Sequence, residues 1–209
     1  MDALIDSINQ LKNSYIRNLI EERIKEFSQI KNSCIDDIFV ELCFCIMTAN
    51  CGAEKCIEIH EKIAKDFLSL SENQLKKKFK DLGYRFPNVR AEYIIESRKR
   101  IDDLEGILKK ESNSNLELRN WIVKNIKGLG YKEGSHFLRN IGFTDYAIID
   151  FHIIDLLVEH NLIERPKTLT KKKYLKIEAL LKNLANKLDL TLGELDLYLW
   201  YLETDRVLK

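Results

Sequence analysis

The sequence is poor in chain breakers and contains no long apolar run. Its 209 residues include only two prolines and eight glycines, which favours long helices over the many tight turns of an all-β protein. No stretch approaches the roughly 18 apolar residues that a membrane span needs. The N-terminal residues also lack the basic start, apolar stretch and cleavage site of a secretory signal. We therefore expect a cytoplasmic protein that does not insert into a membrane.

A strong excess of one charge is also missing. Thirty-four basic residues against thirty-three acidic ones give a net charge of +1 at pH 7, so composition alone does not indicate a nucleic-acid partner. Binding to DNA would require a local basic patch. Three short basic runs, at 76–80, 98–100 and 171–173, are each more typical of a solvated helix face than of a binding site.

Cysteine is confined to the first third of the chain. The five cysteines are Cys34, Cys43, Cys45, Cys51 and Cys56; the odd count and the expected cytosolic location argue against a disulfide framework. The last four are candidates for a metal cluster, but no C-x-x-C pair occurs. The surrounding ELCFCIMTA is typical of a buried helix in which cysteine packs as a small apolar residue. We expect no metal and no cofactor.

Helical periodicity is what the sequence has in abundance. Apolar residues recur every three or four positions, as in 177–184, and no stretch alternates convincingly. Thr170 is a predicted helix N-cap, as is Thr191 with Glu194 three residues on. The sequence therefore predicts an all-α protein. The predicted helices are 2–28, 34–48, 53–68, 71–81, 88–100, 103–110, 115–126, 131–141, 146–159, 170–187 and 191–203.

A turn of sequence Lys127-Gly128-Leu129-Gly130 joins two of these predicted helices. The glycines permit positive φ and leave backbone N–H groups bare. The start of the following helix adds partial positive charge, which suits the turn to hold a phosphate. Leu129 is expected to point inward and hold the two helices together. G-x-G is a weak motif, however, and a helix-turn-helix corner without a ligand fits equally well.

The segment around this turn is locally basic. Within residues 121–140, Lys124, Lys127, Lys132 and Arg139 stand against Glu133, and four minus one gives +3. This segment is therefore a local basic patch of the kind that DNA binding requires, and the net charge of the whole chain does not reveal it.

The run Gly-Leu-Gly-Tyr-Lys ends at Lys132, and Asp150 and His152 follow eighteen and twenty residues later. This pattern resembles the helix-hairpin-helix DNA glycosylase superfamily, which shares a G-x-G-x-K hairpin and an aspartate in a D-x-H context. The segments GYKEGSHFLRNIG, ELCFCIMTAN, YRFPNVRAEYI and ELDLYLWYLETDRVLK are most similar to the type 2 8-oxoguanine DNA glycosylases of archaea and some bacteria. The resemblance covers essentially the whole chain. The related endonuclease III family carries four clustered cysteines near its C-terminus; their absence here implies no iron–sulfur cluster.

The resemblance implies a bifunctional DNA glycosylase and AP lyase of base excision repair. Lys132 would attack C1′ of a flipped nucleotide, displace the damaged base as a Schiff base forms, and nick the strand by β-elimination. Asp150 would be the carboxylate that stabilises positive charge on the sugar. Asp150 also fits a plain N-cap for a helix that begins near residue 151, and the two roles are compatible.

The same resemblance implies four further site residues, each with an ordinary structural alternative. His152 would contact a phosphate, or is a core histidine; Asn50 would fill the gap left by the flipped base, or is a turn asparagine. Phe86 and Trp200 would stack on the base, or belong to the core. The α-carboxylate of Lys209 would accept the N7 hydrogen that distinguishes 8-oxoguanine from guanine. The residues expected to contact DNA are Lys127, Gly128, Leu129, Gly130, His152 and Asn50.

The resemblance also implies two helical lobes with a DNA-binding cleft and the active site between them. The central lobe would cover 31–145 and contain the hairpin, at about 118–141; the second would combine 1–30 with 146–209. The nucleophile and the carboxylate would then face each other across the cleft. The expected partner is double-stranded DNA containing an oxidised base, bound by a monomer. Two alternatives remain open, a cluster-free glycosylase for oxidised pyrimidines and a non-catalytic helix-hairpin-helix DNA-binding protein.

Overall fold

The computed structural model describes residues 1–110 and 114–209. All the regular secondary structure in these ranges is helical, without a strand. The all-α prediction is confirmed. None of the described helices is long and apolar enough to cross a membrane. The helices are α1 (Asp2–Lys12), α2 (Ile16–Ile30), α3 (Ile35–Thr48), α4 (Ala53–Ile63), α5 (Asp66–Ser69), α6 (Glu72–Asp81), α7 (Pro87–Arg98), α8 (Ile101–Lys109), α9 (Asn115–Asn125), α10 (Tyr131–Asn140), α11 (Phe151–Glu159), α12 (Lys171–Leu188) and α13 (Leu192–Thr204).

The helices form two compact units. The terminal unit comprises Met1–Lys31 and Leu138–Lys209, and the central unit comprises Asn32–Phe137. In the terminal unit α13 packs against α1, α2, α11 and α12. In the central unit α3 is the innermost helix, with every residue from Ile38 to Thr48 except Val40 buried, and α4, α5, α7 and α8 pack around it.

The predicted N-caps are confirmed. The Thr170 hydroxyl accepts a hydrogen bond from the Lys173 N–H at 3.4 Å. At the start of α13, the Thr191 hydroxyl accepts from the Glu194 N–H at 3.2 Å, and the Glu194 carboxylate accepts from the Thr191 N–H at 2.7 Å. This reciprocal pair satisfies two of the N–H groups that a helix start leaves without an intrahelical acceptor.

The single helix predicted over 2–28 is two helices. The chain leaves α1 at Lys12 and enters α2 at Ile16. Between them the Ser14 hydroxyl donates to the Leu11 carbonyl at 2.8 Å and accepts from the Ile16 N–H at 3.2 Å. A serine side chain that bonds its own backbone in this way competes with the helical ladder, which interrupts the helix without a glycine or proline.

Arg139 does not belong to the basic surface of the hairpin, contrary to the prediction. Its guanidinium bonds the Asp196 carboxylate at 2.5 Å, with side chains only 4% and 10% exposed, and also bonds the Asn140 side chain. The positive charge of Arg139 is therefore buried in an ion pair inside the terminal unit and does not add to the basic surface of the hairpin. Lys124, Lys127 and Lys132 against Glu133 leave three minus one, or +2, for the hairpin segment.

Candidate active site

The turn between α9 and α10 is a tight hairpin whose two glycines differ. Gly128 has φ +87°, and a Cβ there would lie 2.3 Å from Cδ2 of Tyr93. Leu129 is buried, as predicted. Gly130 does not need positive φ, and its N–H donates to the Glu133 carboxylate at 3.2 Å. The prediction of bare N–H groups is therefore wrong at Gly130, whose N–H is already bonded.

Side chains of α9 fix the first turns of α10. The Arg119 guanidinium, which is buried, donates to the Ser135 hydroxyl at 3.0 Å and lies 4.8 Å from the centre of the Tyr131 ring. The Tyr131 hydroxyl in turn donates to the Asn120 side chain. Tyr131 immediately precedes Lys132, so the backbone that carries the lysine is held rigidly by its neighbours.

Lys132 lies in the first turn of α10 and is half-buried. Among residues 1–110 and 114–209, no group forms a hydrogen bond or ion pair with its amine. The amine is close enough to the buried thiol of Cys56 on α4 to act on it electrostatically. Burial raises the pKa of the Cys56 thiol, and the positive charge of Lys132 partly opposes that rise. Within the described residues, Lys132 is thus a primary amine without a bonded partner in the first turn of α10.

The turn after α3 carries Asn50, which is exposed and adopts a left-handed φ of +60°. Two arginines hold this turn: Arg90 donates to the Ala49 carbonyl at 2.7 Å and Arg85 donates to the Asn50 carbonyl at 3.3 Å. Phe86 is half-buried, with the two guanidinium carbons 4.9 and 5.6 Å from its ring centre. The structure thus brings Asn50 and Phe86 to one edge of the central unit.

Lys127 is exposed but has a partner within the protein. Its amine lies 2.5 Å from the Glu92 carboxylate and 5.4 Å from the centre of the Tyr93 ring, both on α7. The hydrogen bond and charge of Glu92 raise the pKa of Lys127. Glu92 stands 35 residues before Lys127, so this pairing could not be predicted from the local sequence pattern.

In the terminal unit, Asp150 is the N-cap of α11, which is one of the two roles that the sequence analysis predicted for it. Its Oδ1 accepts a hydrogen bond from the Ile153 N–H at 3.0 Å, and the residue is half-buried. In the part of the chain that the structure describes, Oδ2 accepts no hydrogen bond. The cap therefore orients the carboxylate and leaves one oxygen available.

The five residues before α11 are not helical, although the periodicity predicted a helix over 146–159. The Ala147 N–H donates to the Glu178 carboxylate at 3.0 Å, and the Ile149 N–H donates to the Tyr174 hydroxyl at 3.2 Å. Both acceptors belong to α12. They satisfy backbone groups that a helix would otherwise pair internally. The chain therefore reaches Asp150 without forming a helix.

His152 and Trp200 are neighbours in the terminal unit. Their rings meet edge to face with centroids 5.0 Å apart, and His152 Nδ1 lies 4.0 Å from the Glu203 carboxylate. Burial raises the pKa of Glu203, and the negative charges of Glu159, Asp155 and Asp150 add to the rise while His152 opposes it. The fourth predicted site residue of this unit, Lys209, is half-buried.

Cys43 and Cys45 pack on the buried helix α3, as the sequence predicted for the segment ELCFCIMTA. Cys43, Cys45 and Cys56 are buried, whereas Cys34 is exposed. No three His, Cys, Asp or Glu side chains within 1–110 and 114–209 are grouped so that they could hold a metal ion.

In this all-α chain, α9 and α10 meet at a Gly-Leu-Gly turn, and a lysine lies in the first turn of α10. This arrangement defines a helix-hairpin-helix protein. The family model for 8-oxoguanine DNA glycosylase, of the same helix-hairpin-helix type, matches residues 20–190. The chain belongs to the 8-oxoguanine DNA glycosylase family.

Similar proteins agree with this assignment over the full length. An 8-oxoguanine DNA glycosylase/AP lyase of Korarchaeum cryptofilum is 46% identical over 210 aligned positions, which cover 100% of this chain and 99% of the relative. The crystal structure of the Methanocaldococcus jannaschii 8-oxoguanine glycosylase/lyase in complex with a 15-mer DNA containing 8-oxoguanine matches with a TM-score of 0.95 and 48% identity, over 99% of this chain and 100% of the other. The corresponding glycosylase of Thermotoga maritima matches with a TM-score of 0.92 and 38% identity, over 100% and 99%.

Proposed function

We propose that this chain is a bifunctional DNA glycosylase and AP lyase that excises 8-oxoguanine from duplex DNA and nicks the strand at the resulting site. The observation that carries the proposal is the unengaged Lys132 amine on the hairpin helix, in a chain whose relatives are named for both activities. The enzyme acts as a cytoplasmic monomer, without a metal or an iron–sulfur cluster.

Lys132 is the nucleophile of the proposed reaction. The lone pair of its neutral amine attacks C1′ of the flipped nucleotide, the glycosidic C–N bond breaks, and the base leaves with the bonding electron pair and takes up a proton. Loss of a proton from the new C–N⁺ centre and opening of the sugar ring give a Schiff base. Removal of a C2′ proton then expels the 3′-phosphate by breaking the C3′–O bond, which is the β-elimination step.

Asp150 supplies the negative charge that the sugar needs as positive charge develops on it. The N-cap bond to Ile153 fixes one oxygen of the carboxylate and leaves the other to act on the substrate. The capping and the chemical role can be separated, because asparagine caps a helix about as well as aspartate does. Asp150→Asn should therefore keep the free energy of unfolding within about 0.5 kcal/mol and slow excision by roughly a hundredfold or more. Equal excision rates for Asp150→Asn and the intact protein would show that Asp150 acts only as a helix cap.

The remaining roles concern DNA contacts and the base pocket. The hairpin from Lys127 to Gly130, with His152, binds the phosphate backbone, and Asn50 enters the gap left by the flipped base. Phe86 and Trp200 stack on the extruded base, and Lys209 completes the pocket. Support comes from the exposure of Asn50 and the half-buried rings of Phe86 and Trp200, since a stacking residue must keep one face accessible.

Borohydride trapping on an 8-oxoguanine duplex tests the proposal. The intact protein should form a covalent adduct, Lys132→Gln should form none, and Lys124→Gln should trap as the intact protein does. Lys124 is a suitable control because it is an exposed lysine on the preceding helix of the same hairpin. Adduct formation by Lys132→Gln at the intact rate would contradict the assigned nucleophile.

The same assay with a panel of lesions separates the competing functions. Excision of oxidised pyrimidines in preference to 8-oxoguanine would favour the cluster-free pyrimidine glycosylase. Tight duplex binding without any adduct on any lesion would favour a non-catalytic DNA-binding protein.

A further inference from the structure

The ion pair between Lys127 and Glu92 lies where the hairpin should receive a DNA phosphate. Lys127 directly precedes Gly128 at the tip of the turn, and its amine is 2.5 Å from the Glu92 carboxylate. Both side chains are about half exposed, at 55% and 44%. A phosphate approaching the tip therefore meets a lysine that already has an anionic ligand.

The position of Glu92 is built into the fold. The next residue on α7, Tyr93, packs so closely beneath Gly128 that a Cβ there would lie 2.3 Å from its ring. The same ring is 5.4 Å from the Lys127 amine. Because Tyr93 fixes α7 against the turn, the carboxylate of Glu92 is held beside Lys127. Glu96, one turn further along α7, is instead bonded to Lys99 at 2.6 Å.

We propose that Glu92 is a built-in competitor for DNA phosphate at the hairpin, which must release Lys127 before the lysine can bind the backbone. This inference rests on the proposed function in one respect, that Lys127 binds DNA. Phosphate contacts carry no sequence or lesion information. The competition therefore weakens binding to damaged and undamaged duplex alike and limits the time spent on normal DNA.

The cations released from DNA on binding make the proposal measurable as a change in the salt dependence of affinity. A free lysine that binds a phosphate releases one condensed cation from the DNA, which contributes a slope of about −0.9 to log K against log salt. When the lysine leaves a carboxylate behind, that carboxylate attracts a cation and offsets the release. Removing the carboxylate should therefore make the salt slope steeper by up to about 0.9. Because exposed ion pairs are weak, the accompanying gain in affinity should be about two- to fivefold at low salt.

Fluorescence anisotropy of a labelled duplex at several salt concentrations tests the proposal, with Glu92→Gln as the central variant. Glu105→Gln is the matched control. Glu105 is a glutamate of the same unit whose side chain is 39% exposed and paired with Lys109 at 2.6 Å, and its substitution changes the net charge equally. Glu92→Gln should bind both damaged and undamaged duplex more tightly than Glu105→Gln and with the steeper slope. Affinity that is unchanged, lower, or raised equally by both variants would overturn the proposal.

A double-mutant cycle localises the effect to Lys127. The gain from Glu92→Gln should vanish when Lys127 is also changed to Gln; a gain of equal size in that background would refute the competition. Lys127→Gln alone should weaken binding. If it does not, the DNA role of Lys127 fails; if it does while Glu92→Gln is silent, only the competition fails. Borohydride trapping measures the chemical step separately and does not decide this question.

Discussion

Gly128→Ala should be one of the most damaging single substitutions in the hairpin. Alanine at a φ of +87° costs about 1–2 kcal/mol. Its Cβ would also lie 2.3 and 2.6 Å from two ring carbons of Tyr93, and such overpacking typically costs a further 1–3 kcal/mol as the neighbour is displaced. We expect a loss of about 2–5 kcal/mol in the free energy of unfolding, and weaker duplex binding because Tyr93 would be pushed away from the turn.

Gly130→Ala is the control for this prediction. Gly130 has no positive φ, and the nearest obstacle to a Cβ is the end of the flexible Glu133 side chain at 3.3 Å. Urea unfolding of both variants and the intact protein should show a loss below about 1 kcal/mol for Gly130→Ala. Similar stability of the two variants would refute the claim that backbone conformation and the Tyr93 contact impose glycine at position 128.

Three further predictions concern the terminal unit. Asp196→Ala should cost about 3–5 kcal/mol by urea unfolding, because it strands the buried charge of Arg139; a loss below 1 kcal/mol would show that the pair is not needed. Thr191→Ala should cost about 1 kcal/mol of stability, and an unchanged denaturation midpoint would contradict the importance of the capping box. The raised pKa of Glu203 means that the folded state disfavours its charged form. Stability is therefore lost as the pH rises from the unfolded pKa through the raised folded pKa, so Glu203→Gln should raise Tm at pH 7 but not at pH 4, and an equal Tm at pH 7 would contradict this.

The features that the sequence predicted correctly depend on residues close together along the chain. The helical period, the Gly-Leu-Gly turn with Leu129 buried, and the capping box at Thr191 all involve neighbours within a few positions. Asp150 was likewise predicted as an N-cap from the helix that follows it. Such features are visible in one sequence because local geometry alone decides them.

The features that the sequence missed depend on partners far along the chain. Arg139 looked like part of the basic hairpin, but its buried partner Asp196 lies 57 residues away. The apolar residues before Asp150 fit a helical period, yet two α12 side chains bond their backbone from 31 and 25 residues away. The partner of Lys127 is 35 residues distant. In each case a tertiary contact overrides what the local pattern predicts.

Locating the covalent adduct on the protein decides whether Lys132 is the nucleophile. The intact protein would be trapped with borohydride on an 8-oxoguanine duplex, digested with protease and nuclease, and mapped by mass spectrometry. We expect the sugar remnant on the side-chain nitrogen of Lys132. A remnant on any other amine, or an adduct that still forms in Lys132→Gln, would contradict it.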